Sequence, residues 1–175
     1  METDADGSTW VLSESHAMLK YLATTHKVKD HWYPADLRQR AKVDQYLDWH
    51  HNFLRQGAAR SVFLKLFHPM LTGQQASEEQ LNIAHTVFKK SLGYMEKWLA
   101  DQKYLCGNEI SIADIVSAHE LDQTKFISYD LSPYPKVNSW LHRVIDESPE
   151  GMEISSKMRK LAAASIAKQK ATPKL

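Results

Sequence analysis

The stretch Leu12-Ser13-Glu14-Ser15 places a carboxylate and two hydroxyls where a strand-like segment turns into a helix. A helix N-terminus presents unpaired backbone amides and a partial positive charge. Ser15, through its hydroxyl and amide, suits a ligand carboxylate, while Glu14 suits an ammonium beside it. A ligand carrying both groups on one carbon, the head of an α-amino acid, matches the pair. The same residues also suit ordinary capping with an acid in the first turn, which asks for no ligand.

Other chemistries find less support. Nine histidines are many, but none stands at ligand spacing from an acid or a second histidine on one helical face. His50 and His51 are adjacent and project about 100° apart on a helix, so no metal site is expected. His119-Glu120 lacks the second histidine of a metalloprotease helix. There is no Gly-rich phosphate loop and no Gly-x-Ser-x-Gly elbow. Cys106, the single cysteine, sits in a turn without an adjacent base, which argues against a nucleophile. It allows no intrachain disulfide and fits a reducing compartment.

Helical periodicity dominates the elements that would position these groups. Thr9 to Leu12 reads as a short strand, and Ser13 as the cap of a helix reaching about His26, with Ala17, Met18, Tyr21 and Leu22 on one face. After Trp32-Tyr33-Pro34 a long helix starts near Asp36, carries Val43, Tyr46, Leu47, His50, Phe53 and Leu54, and ends or bends at Pro69. Ser77 and Gln80 open the next helix as a capping box, with Leu81, Ala84, Phe88, Leu92, Met95 and Leu99 as its stripe. Ser111 and Asp114 form the sharpest start, a capping box with Ile110 and Ile115 as its staple, for a helix to about Phe126. Val137, Trp140, Leu141, Val144 and Ile145 give another amphipathic helix, ended by Pro149 to Gly151. A thinly apolar helix then follows from Met152 to about Lys170.

The 175 residues, 43% apolar and 25% charged, suit one compact globular domain. A net charge of +1 calls for neither nucleic acid nor acidic substrates. Six bases and no acid follow Glu153, so the rest of the chain is acidic; the basic end reads as a solvated terminus or a partner surface. No apolar run approaches the ~20 residues of a membrane span, and residues 1–9 lack a signal-peptide layout. Pro173-Lys174-Leu175 matches a peroxisomal ending in two of three positions.

Residues Leu12 to Leu22, with the Glu14-Ser15 pair, resemble the end of the glutathione-binding half of glutathione transferases. Ser111-Ile112-Ala113-Asp114 resembles the capping box of that superfamily's central C-terminal helix, and Tyr134 to Val144 its next helix. Asp30 to Leu37, Arg40 to Asp44, Trp49-His50-His51 and Leu54-Arg55 resemble the theta class. The likeness runs from about Val11 to about Glu147.

The resemblance implies an all-α fold. It would be a glutathione-transferase C-terminal-like bundle of five to six helices, with a residual short strand and helix from a thioredoxin-like domain. Residues 1–28 would be that remnant, 29–150 the helical domain and 151–175 a basic helix or tail. It implies that Glu14 and Ser15 bind the γ-glutamyl head of glutathione, that Asn52 and Arg55 border the site, and that Arg55 stabilises negative charge on the thiolate or carboxylates. Trp49 and Leu54 would line a pocket for a hydrophobic electrophile.

The family's thiol-activating serine and cis-proline have no counterpart before Ser13, so the chain reads as an N-terminally truncated form with no catalytic residue of its own. The implied activity is conjugation of glutathione to electrophiles or reduction of organic hydroperoxides, in a cytoplasmic homodimer without metal. The alternative is a non-catalytic helical interaction module of the superfamily.

Overall fold

The computed structural model describes residues 2–3 and 6–171, with the side chains of residues 162 and 165–171 outside that description. Helices carry the architecture, as the periodicity predicts. The chain opens with a two-stranded antiparallel ribbon, β1 (Glu2–Thr3) and β2 (Thr9–Trp10), in which Glu2 faces Trp10. The strand expected to reach Leu12 stops two residues short.

Helix α1 (Ser15–Thr25) follows. Its inward face is Leu19 and Ala23, packed against the core. Met18 and Leu22 of the expected apolar face stay exposed, beside Trp10. No residue of α1 is fully buried, and Lys20 ties it to Asp44 at 2.6 Å.

Asp36 caps α2 (Leu37–Asn52), accepting from the amides of Arg38 and Gln39 at 3.1 and 2.9 Å. The long helix predicted to run to Pro69 instead breaks at Phe53, whose φ of −124° and ψ of −72° leave the helical region. Helix α3 (Leu54–Val62) continues from there, passes into a π-turn over Phe63–Phe67, and then into α4 (His68–Thr72). Pro69 lies in the first turn of α4, directly after the π-turn, and Gly73 at φ 71° ends the run. The break lets α3 lie hard against α5 (Glu78–Trp98). A Cβ on Gly57 would sit 2.4 Å from the Phe88 Cα, so only glycine permits that approach.

The capping box at Ser77 and Gln80 is formed, with bonds of 3.2 and 3.0 Å. The one at Ser111 opens α6 (Ile112–Asp122), which gives way to a 3-10 turn over Gln123–Ile127 rather than continuing as α-helix. Asp114 does more than cap. Its carboxylate accepts from the Ser111 amide and hydroxyl, the Leu105 amide and the Trp140 indole, at 2.8 to 3.1 Å. Burial raises its carboxyl above the ordinary value, and these donors pull it back.

Helix α7 (Pro135–Ile145) buries all five predicted residues, and Glu96 of α5 accepts from the Lys136 and Val137 amides at its start. Pro149 begins α8 (Pro149–Ala171) instead of ending α7. The basic end is partly docked: Arg159 reaches Asp122 at 2.9 Å. Among the described residues no helix is long and apolar enough to cross a membrane. Pro173-Lys174-Leu175 lies outside the described residues.

Candidate functional site

The capping position of α1 falls to Glu14, not Ser13. Glu14 has φ 72° and ψ 114°, and its side chain makes no bond to its own helix. Its carboxylate is 74% exposed and lies 3.5 Å from His51 Nε2 on α2. Ser15, exposed at the first helical position, adds an amide that has no partner within the helix. An exposed acid next to open amides can receive an ammonium and a carboxylate together.

Asn52 shares a depression with Glu14, His16, Asp48 and His51. Its amide nitrogen donates to the Asp48 carbonyl at 2.9 Å. Arg55 lines a second depression with Phe63, Leu64 and His68. Its guanidinium donates to Glu120 at 3.3 Å. Burial raises the Glu120 carboxyl above its ordinary value, and Arg55 draws it down.

Trp49 opens elsewhere, on a groove of about 270 Å³ shared with Tyr46, Trp98 and Cys106. It meets Trp98 edge-on at 4.7 Å between ring centroids and stacks on Phe53 at 5.8 Å. Leu54, predicted to line the acceptor pocket, is 0% exposed and belongs to the core. Its place directly after the break turns it inward. The structure thus gathers Glu14, Ser15 and Asn52 around the start of α1. Arg55 stands one depression away and Trp49 on a separate groove. Cys106 donates to the Lys42 carbonyl at 3.7 Å, and burial, with the Asp114 charge, pushes its thiol up to about 12.

One constellation escaped the sequence reading. His16 of α1 meets His50 and His51 of α2, so that one ring nitrogen from each lies within 4.8 Å of the others. The divergence of His50 and His51 on one helix is real, but a third imidazole from another helix bridges it. Burial, then the charges of His16, Arg55 and His51, lowers His50 to about 3. Burial, then His51, Lys20 and Arg55, lowers His16. The only sequence signal was a histidine at the second residue of α1 and a pair near the end of α2.

Residues 59–147 match the family described as "Glutathione S-transferase, C-terminal domain". The chain is 36% identical over 147 residues to glutathione S-transferase theta-1 of Gallus gallus, covering 83% of this chain and 56% of that protein. It is 36% identical over 174 residues to the theta-1 protein of Mus musculus, covering 95% of this chain and 72% of that one. Among solved structures, a human theta-class glutathione transferase in complex with the glutathione conjugate of 1-menaphthyl sulfate superposes with a TM-score of 0.83 at 30% identity. That alignment covers 98% of this chain and 70% of the other. The chain spans 56% to 60% of the length of several curated theta relatives.

Proposed function

Since this chain belongs to the theta class of the glutathione transferase family, we propose that it works in transferring glutathione to electrophiles, gripping the tripeptide by its γ-glutamyl head. The observation that carries this reading is the start of α1. There Glu14 stands exposed, 3.5 Å from His51 Nε2, beside the open amide of Ser15. Glu14 takes the ammonium and Ser15 the α-carboxylate of the γ-glutamyl group. Asn52 borders that head, and the Arg55 guanidinium lends positive potential to the thiolate end.

In the reaction the thiolate attacks an electrophilic carbon, a C–S bond forms and the leaving group departs with its electron pair. A related use is reduction of an organic hydroperoxide, in which two glutathiones give the disulfide, an alcohol and water. We assign no residue of this chain to activating the thiol. We place the acceptor on the Trp49 groove, which is aromatic and large enough for a planar ring system.

Glutathione binding by calorimetry, and thioether formation from 1-menaphthyl sulfate followed by chromatography, test the proposal. The choice of acceptor follows the conjugate bound in the human neighbour. Wild-type chain is expected to bind glutathione, and Glu14→Gln to bind it at least about tenfold more weakly, the loss of one charge-assisted pair. Equal binding by the two proteins would remove Glu14 from the site, and no binding by either would remove the function.

A second reading, a non-catalytic interaction module, is favoured by the exposed Trp10, Met18 and Leu22 around one groove. Homodimerisation would use the same kind of surface. Size-exclusion chromatography separates the cases: a lone monomer at all concentrations counts against both. We place the protein in the cytoplasm, and the peroxisomal alternative rests on Pro173-Lys174-Leu175 alone.

A further inference from the structure

We propose that His16, His50 and His51 bind a divalent transition-metal ion of the zinc type, and that this ion clamps α1 onto α2. The geometry points first to the ion. One nitrogen from each ring lies within 4.8 Å of the other two. A tetrahedral ion about 2.1 Å from each nitrogen needs them roughly 3.4 Å apart. Binding would require the His16 and His51 rings, both part-exposed, to turn toward one another.

The bonding state of the rings points the same way. His16 Nε2, both nitrogens of His50 and His51 Nδ1 are buried and make no hydrogen bond among the described residues. Buried polar atoms are seldom left so, and since a neutral imidazole offers one lone pair, the three rings bring three donors to one spot. Carboxylates stand behind two of the rings. Glu14 lies 3.5 Å from His51 Nε2, and Glu120 lies 3.8 Å from His50 Nε2. A carboxylate taking the outer N–H of an imidazole sets its tautomer and leaves the other nitrogen bare for a metal. The depression lined by Glu14, His16, Asp48, His51 and Asn52 gives the ion a way in.

Ligand chemistry selects the ion. Three imidazoles suit zinc, cobalt and nickel, whereas magnesium and calcium require oxygen ligands. Location gives the consequence. Helix α1 has no fully buried residue, so its hold on the bundle is light, and a shared ion would add a bond between its first turn and the end of α2. The site adjoins Glu14 but requires no glutathione.

The test uses the untagged full chain, titrated with cobalt(II) and followed by its visible absorption, and with zinc(II) against a chromophoric chelator. One ion per chain is expected. His16→Gln and His51→Gln should each weaken binding at least about tenfold, while His85→Gln leaves it unchanged. Circular dichroism confirms that both variants keep their helices. Zinc should raise the melting temperature of the wild-type chain and raise that of His16→Gln by clearly less at the same concentration, whereas magnesium should move neither. Absence of 1:1 binding, or binding that survives in the His16→Gln, His51→Gln double variant, overturns the site. A melting temperature that zinc raises equally in His16→Gln overturns the clamp.

Discussion

The half-exposed Arg55 guanidinium ends 3.3 Å from Glu120, whose side chain is only 7% exposed. The pairing is asymmetric. Arg55 can lose Glu120 and still be hydrated, but Glu120 without Arg55 is a charge held away from water. Arg55→Ala is therefore expected to cost about 1–2 kcal/mol, reduced from the full buried-pair penalty because the arginine is part solvated. Adding Glu120→Gln to it should restore part of that loss, because the stranded charge is gone. Urea unfolding of the two single variants and the double gives the coupling energy; strict additivity would deny the pairing.

Asp114 joins four donors from three segments, the α6 cap, the Leu105 amide and the Trp140 indole. Asp114→Ala strands all of them inside the core. The expected loss is about 3 kcal/mol or more, read as a fall in melting temperature. Ser111→Ala removes one donor only and should cost about 1 kcal/mol.

Asp122 carries the pH dependence. Its carboxyl is held below the ordinary 3.8, by bonds from Lys125, Ser155 and Arg159 that outweigh burial. A carboxyl lowered in the folded state stabilises it above the unfolded value and loses that effect as pH falls through the folded one. The stability gap between wild type and Asp122→Asn should be full at pH 7 and close progressively below about pH 4. A gap that persists undiminished at pH 2 would contradict it. Because Arg159 and Ser155 belong to α8, the same variant should also loosen that helix to hydrogen exchange.

Cys106 is a test of inertness. With its thiol pushed up to about 12, little thiolate forms at pH 8. Its reaction with a disulfide reagent should run at least about tenfold slower than that of free cysteine, and reach the free rate once the chain is unfolded in denaturant.

Local chemistry was legible before the structure. Asp36, Ser77 and Ser111 announce helix starts because a cap and its amides lie within three residues of one another. The stripe Val137 to Ile145 announces a buried face because helical period alone sets it. The misses are contacts across the chain. The break at Phe53 answers the need for Gly57 to reach Phe88, which no window around Phe53 contains. Leu54 reads equally well as a pocket wall or a core residue until that break turns it inward. Pro149 serves as well to begin a helix as to follow one. The meeting of His16 with His50 and His51 depends on how α1 lies on α2, and Glu120 becomes interesting only once Arg55 reaches it.

Glu14 has a positive φ of 72°, a conformation that glycine adopts with less strain and that costs other residues on the order of 1 kcal/mol or more. Glu14→Gly should therefore raise the melting temperature while abolishing the hold on the γ-glutamyl head. If both shifts are seen, one position sets thermal endurance against recognition. Variants picked only for surviving heat would then drift toward glycine there, and lose the ligand as they gained in durability.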